Sequence, residues 1–157
     1  MSELSQSKLM VALPIDPVEA GSVYRKLPAH VTILPWFLLD QREWSGLDQA
    51  IREEVLVESS PGNMIGAERT MYGEYNNVSV TRMFGLNVFG VHALAGAIVR
   101  QHGAQYDPTY MGINWHPHVS DTTDTAIKVG EQVTLRQLAV FDKNEASVKT
   151  VRVTYEW

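Results

Sequence analysis

Two short segments of this 157-residue chain repeat one another, His30-Val31-Thr32 and His118-Val119-Ser120. Ser and Thr fill 20 of the 157 positions, so a repeated His-x-Ser/Thr is uncommon by chance and the shared Val makes it rarer. Both segments are rich in β-formers and are expected as strands. A strand has period two, so His30 and Thr32 project from one face, as do His118 and Ser120. Brought together across a cleft, the pairs offer two imidazoles and two hydroxyls, a set suited to attack at phosphorus. One ring accepts a proton from water or a ribose hydroxyl, and the other donates a proton to the leaving oxygen. The hydroxyls hydrogen-bond the non-bridging oxygens and hold the phosphate in line. An unperturbed imidazole pKa of about 6.5 lets one ring be neutral and the other charged, with a rate maximum expected between about pH 5.5 and 8. This scheme needs no metal and no cofactor. The competing reading is two half-buried strand histidines with polar neighbours and no chemistry.

Other residues compete for a role. Trp36 shares the parity of His30 and Thr32, which would bring it to the same cleft to stack a base. Core packing is the other fate of a Trp there. His116 is expected as a solvent-facing rim residue that contacts substrate. His116 and His118 also form His-x-His, a spacing that suits Zn²⁺. A third ligand is missing from the pattern, since His92 and His102 lie ten residues apart on an expected helix and are read as surface residues. The expectation is therefore no metal site. Tyr106 and Tyr110 precede the second motif and could reach substrate. Arg69 and Arg82, on the middle strands, are either phosphate contacts or part of a solvated strand face.

The elements that must position these residues follow from periodicity. Leu9 to Ile15 is an apolar run that reads as a buried strand. Asp16-Pro17-Val18-Glu19 reads as the start of a short helix, ended by Gly21 and Pro28. Ala29 to Trp36 reads as a strand. Asp40 and Glu43 open a second helix, with Trp44, Leu47, Ile51 and Val55 at helical spacing and Ser59-Ser60-Pro61-Gly62 as its stop. Residues 63–84 read as two strands around Asn76-Asn77. Asn87 opens a third helix with Val88, Val91, Ala95 and Ile98 on one face and Gly103 beyond its end. Trp115 to Ser120, Gln132 to Phe141 and Val148 to Trp157 read as strands, the last two as a hairpin. Single helices among hairpins argue an α+β fold with a largely antiparallel sheet.

Composition bounds the function. Cysteine is absent, which excludes disulfides, thiolate metal sites and a cysteine nucleophile. The net charge is −5, all of it carried by residues 1–78, where 6 basic face 11 acidic side chains. Such a chain is poorly suited to coating long nucleic acid, whose binding is driven by phosphate neutralisation. Met1 to Lys8 is polar, with no apolar leader core, and no apolar run approaches the ~20 residues of a membrane span. A cytoplasmic monomer is expected, with a small nucleotide or short oligonucleotide as partner and no membrane partner.

Pro28-Ala29-His30-Val31-Thr32-Ile33-Leu34-Pro35-Trp36-Phe37 resembles the first signature of the two-histidine phosphoesterases, a family that includes the LigT-like RNA cyclic phosphodiesterases. Pro117-His118-Val119-Ser120 resembles the second, 88 residues on. The resemblance spans nearly the whole chain. It implies one two-lobed domain over residues 1–157, with two antiparallel-rich sheets and flanking helices around a pseudo-two-fold cleft. It implies metal-independent cleavage of a small phosphodiester: a 2′,3′-cyclic phosphate, a 2′-5′ linkage or a cyclic oligonucleotide signal. Carried over by position, His30 and His118 are the proton-transfer pair, and Thr32 and Ser120 bind phosphate. Where the family's second motif often continues into an apolar and then a basic residue, this chain has Asp121-Thr122-Thr123. The alternatives are a nucleotide-binding module without turnover and a Zn-dependent hydrolase.

Overall fold

The computed structural model describes residues 5–157. The first part of the polar Met1–Lys8 segment therefore lies outside the described residues. The described residues form nine strands: β1 Gln6–Pro14, β2 Val23–Tyr24, β3 His30–Asp40, β4 Asn63–Tyr72, β5 Val78–Phe84, β6 His118–Ser120, β7 Gln132–Thr134, β8 Gln137–Lys143 and β9 Lys149–Glu156. Every strand pairing is antiparallel. The strands form one continuous sheet in the order β2-β9-β8-β1-β3-β6-β5-β4-β7. Two separate sheets were expected. The three-residue β6 overturns this, because it pairs with β3 on one edge and β5 on the other and closes the gap.

The helices cover one face. α1 Trp44–Ala50 runs through a widened turn, Ile51–Val55, into α2 Leu56–Glu58. Asp40 caps the entry by accepting from the Arg42 N–H at 2.9 Å, and the Ser59 hydroxyl donates to the Val55 carbonyl at 2.6 Å at the exit. α3 Asn87–Gln101 buries Val88, Val91, Ala95, Ile98 and Val99, and Gly103 follows at φ +76°, the left-handed stop that glycine adopts freely. Asn87 is the first helical residue rather than a side-chain cap. Leu9, Val11 and Leu13 of β1 pack against these helices, while Met10 and Ala12 belong to a second cluster on the opposite face with Phe141 and Val151. This two-sided burial explains the unbroken apolar run in β1. Each fully buried aliphatic side chain contributes about 1.5–3 kcal/mol.

The second cluster is roofed by a loop, not by the helix expected from Asp16-Pro17-Val18-Glu19. Val18 is buried in it, and the buried Gln137 side chain grips the Val18 backbone at both N–H (2.9 Å) and C=O (3.0 Å). That distant grip satisfies the polar groups a helix would have used. The expected strand over 132–141 is also broken: β7 leaves to pair with β4, while β8 pairs with β1 and β9. No helix among the described residues is long and apolar enough to cross a membrane.

The segment after β6 returns across β5 and β4. The Thr81 hydroxyl donates to the Ile127 carbonyl at 2.5 Å, the Gly66 N–H to Glu131 at 2.9 Å, and the Gly130 N–H to Gly66 at 2.8 Å. A Cβ on Gly66 would overlap the Lys128 carbonyl oxygen, so only glycine permits this approach. Gly66→Ala is expected to cost about 1–3 kcal/mol through forced separation of the two backbones. Urea denaturation of the two proteins measures it, and an unchanged midpoint would contradict the close contact.

Candidate active site

β3 and β6 meet at one residue pair, Val31 opposite Val119, both essentially inaccessible at 0% and 1% exposure. An antiparallel register then sets His30 beside Ser120 and Thr32 beside His118. All four point to the face opposite the two valines. The histidines occupy a diagonal, with backbones about 7–8 Å apart. The sequence repeat is thus a spatial repeat, related by the local two-fold axis of one antiparallel pair. The structure brings together His30, Thr32, His118 and Ser120.

Each ring is held the same way. His30 Nδ1 lies 2.8 Å from the Pro28 carbonyl oxygen, and His118 Nδ1 lies 2.9 Å from that of His116. A carbonyl only accepts, so each Nδ1 carries the hydrogen and each Nε2 is left to exchange protons. Burial pushes the His30 pKa down, the Pro28 carbonyl opposes this, and the neighbouring His118 lowers it further. Burial also lowers His118; the His116 carbonyl opposes the shift, and the His116 side chain adds to it.

The surroundings include groups that sequence reasoning missed. The Tyr72 ring meets His118 edge-on, with centroids 4.8 Å apart. Tyr72 lies at the end of β4, and nothing in its local sequence marks it. His92, expected on the helix surface, is buried. Its Nδ1 sits 2.8 Å from the Ile33 carbonyl oxygen, its Nε2 accepts from the Gly112 N–H at 3.1 Å, and its ring stacks on Trp115 at 4.2 Å. Burial lowers its pKa against the opposing Ile33 carbonyl. Trp115 in turn donates to the Thr32 carbonyl at 3.1 Å, so residues beside the second motif brace the first.

A cleft of about 710 Å³ opens on the His30 and Ser120 side, walled by Tyr24, Lys26, Leu27 and the Asp121–Thr125 segment. Arg69 binds Asp121 through two contacts, at 2.5 and 2.6 Å, and also donates to Thr81 at 2.9 Å. It anchors the cleft wall through that carboxylate. Arg82 sits opposite His118 on β5, 3.3 Å from Glu68. His116 is exposed and is not among the residues that line this cleft. Trp36 is half-buried on the second cluster, on the face of Thr32 but farther along β3, with Lys143 Nζ 4.8 Å from its ring centroid. It does not line the cleft. Tyr106 accepts from Arg100 at 2.9 Å, and Tyr110 is exposed. Among the described residues, no group of three or more His, Asp or Glu side chains is gathered for a metal ion.

Crystal structures of LigT and of a phosphoesterase share this architecture. Escherichia coli LigT complexed with 3′-AMP superposes with a TM-score of 0.66 at 12% identity, covering 97% of this chain and 98% of that one. A structure described as a phosphoesterase gives 0.65 at 11% identity, with 97% and 98% coverage. LigT complexed with NADP+ gives 0.61 at 12% identity, with 96% coverage of both. No protein-family model matches the chain, and no curated protein matches it. The likeness to these structures is one of fold.

The ring geometry is open to direct measurement. Ring ¹⁵N shifts should show the Nδ1–H tautomer for neutral His30, His92 and His118, each titrating below the ordinary value of about 6.5. An Nε2–H tautomer at His30 or His118 would contradict the carbonyl contacts.

Proposed function

We propose that the protein is a metal-independent phosphodiesterase acting on a small nucleotide or short oligonucleotide, with His30 and His118 as acid and base. The observation that carries this is the meeting of both His-Val-Thr/Ser segments at the Val31–Val119 pair. Each ring there is tied through Nδ1 to the carbonyl two residues before it. Such a pair does the two things hydrolysis at phosphorus requires. One Nε2 takes the proton of the attacking water while the other gives a proton to the departing ribose oxygen. Thr32 and Ser120 lie beside the opposite histidine across the seam, where their hydroxyls hold the non-bridging oxygens in line. Substrates of this chemistry are 2′,3′-cyclic phosphates, 2′-5′ linkages and cyclic oligonucleotides. The likeness of fold to LigT, crystallised with 3′-AMP and with NADP+, supports a nucleotide ligand.

The test is a panel of these phosphodiesters incubated with protein in EDTA, with products resolved by chromatography. One or more should be cleaved. His30→Ala and His118→Ala should each lower the rate by about 10²–10⁴ without loss of fold. Their double variant should lose less than the product of the single losses, because the groups act as a unit. Near-full activity in either single variant, or activity lost in EDTA and restored by Zn²⁺, would refute the mechanism.

The pH profile has a definite sign. The active free enzyme holds one proton on the pair, and that form peaks midway between the two apparent pKa values. Burial lowers both rings. The maximum of kcat/KM should therefore fall below about pH 6.5, on the acid side of what unperturbed imidazoles give. Above it neither ring keeps a proton, and below it both do. A maximum above pH 7 in steady-state rates would be inconsistent with desolvated histidines.

A further inference from the structure

The face that carries His30 and Thr32 continues away from the histidines across β1, β8 and β9. Ala12, opposite Thr32, packs there with Met10, Ala139, Phe141, Val151 and the half-buried Trp36. Just beyond, Lys143 lies directly opposite Lys149. The register that sets Leu9 against Asp142 brings Lys8 against Lys143 one step further on. Three lysines therefore stand in a row on three adjacent strands. Like charges directly opposite one another weaken a ladder. Among the described residues no carboxylate is paired with any of the three, and Lys149 Nζ donates to the neutral Arg25 carbonyl at 2.7 Å. Asp142 projects to the other face, where Arg152 holds it at 3.0 Å. The row is not a by-product of a basic chain, since the net charge is −5. Burial and the charges of Lys8 and Lys149 push the Lys143 ammonium below its ordinary pKa.

An anion would relieve this repulsion, and the indole beneath Lys143 identifies which anion. Phosphate answers the ammonium groups, and a nucleobase answers, by stacking, the part of the half-buried indole left accessible beside Lys143. Trp36 is six residues from His30, roughly 20 Å along an extended strand, a span that calls for more than one nucleotide. We propose that Lys8, Lys143, Lys149 and Trp36 form a distal subsite for a second phosphate and base of a short single-stranded oligonucleotide whose scissile phosphodiester lies between His30 and His118. This rests on the active-site function proposed above and narrows its substrate class from mononucleotides to oligonucleotides.

The experiment is a binding titration and does not depend on turnover. A labelled single-stranded RNA of about six nucleotides ending in a 3′-phosphate is titrated at graded salt, with adenosine 2′,3′-cyclic phosphate as competitor. The double variant Lys8→Gln/Lys143→Gln should bind the RNA at least about tenfold more weakly, with a log–log salt slope shallower by about 1.4. Its affinity for the cyclic mononucleotide should stay within about twofold, because two neutralised lysines alter only distal phosphate contacts. Trp36→Leu should weaken RNA binding about fivefold or more with the slope unchanged, and Trp36→Tyr, which keeps a stacking ring, should restore it. Thermal melting checks that each variant is folded. Equal losses for both ligands, or no loss for either, would overturn the subsite. So would lysine-dependent binding to phosphatidylserine-containing vesicles without RNA binding. Lysine-independent RNA binding with hydrolysis intact would remove the subsite alone, whereas absent hydrolysis would remove the active-site function alone.

Discussion

The site depends on one contact, the pairing of Val31 with Val119 across the seam between β3 and β6. Side chains alternate along a strand, so a one-residue slip of β6 against β3 would turn His118 into the helix-packed core and Val119 out. A single pair is a weak determinant of register, and the surrounding structure reinforces it. The Met83 N–H donates to the Pro117 carbonyl at 2.9 Å, and Trp115 reaches across to the Thr32 carbonyl. His92 fastens α3 to the Ile33 carbonyl. Each bond spans elements far apart in sequence, and each stops β3 and β6 from sliding. The valines add the hydrophobic term, since exposing either would return buried apolar surface to water.

The same seam explains the electrostatics of the rings. A histidine that is half-buried and faces another histidine resists carrying charge, because desolvation and like-charge repulsion both oppose the cation. The carbonyls of Pro28 and His116 act the other way and hold the hydrogen on Nδ1. The outcome is two rings of one tautomer, both with Nε2 available, neither burdened with a permanent charge. His92 carries a lowered pKa for the same leading reason, burial, which outweighs the opposing Ile33 carbonyl, and its two ring nitrogens are taken by that carbonyl and the Gly112 N–H. A perturbed histidine is thus not by itself a mark of function.

The cleft walls are fixed by polar groups rather than by regular structure. Arg69 pins Asp121 in the cleft wall, and Gln137 pins the Val18 backbone in the loop over the neighbouring second cluster. Asp121 stands where the resemblance places an apolar residue and then a basic one, and in this chain its carboxylate is held by Arg69 from β4. Loops held this way present side chains to a ligand without filling the cleft.

Much of this was legible from local pattern. The three-to-four-residue spacing of Leu47, Ile51 and Val55, and of Val88, Val91 and Ala95, marked both long helical stretches. Asn76 at φ +49° sits in the hairpin turn where its residue type suggests. The repeated His-Val-Thr/Ser showed which side chains share a face, because strand parity is a local property. What the chain could not declare is which strand lies beside which. That β3 and β6 are neighbours, that one sheet replaces two, and that β7 leaves β8 for β4 are set by hydrogen bonding between segments tens of residues apart. The same holds for Val18, where a helix signal yields to the Gln137 side chain 119 residues away. It holds for His92, whose polar atoms find partners only once the core is assembled, and for the lysine row, whose members are scattered from residue 8 to residue 149. Local free energies fix turns, helices and parity, whereas contacts between distant segments form only on folding and decide which faces meet.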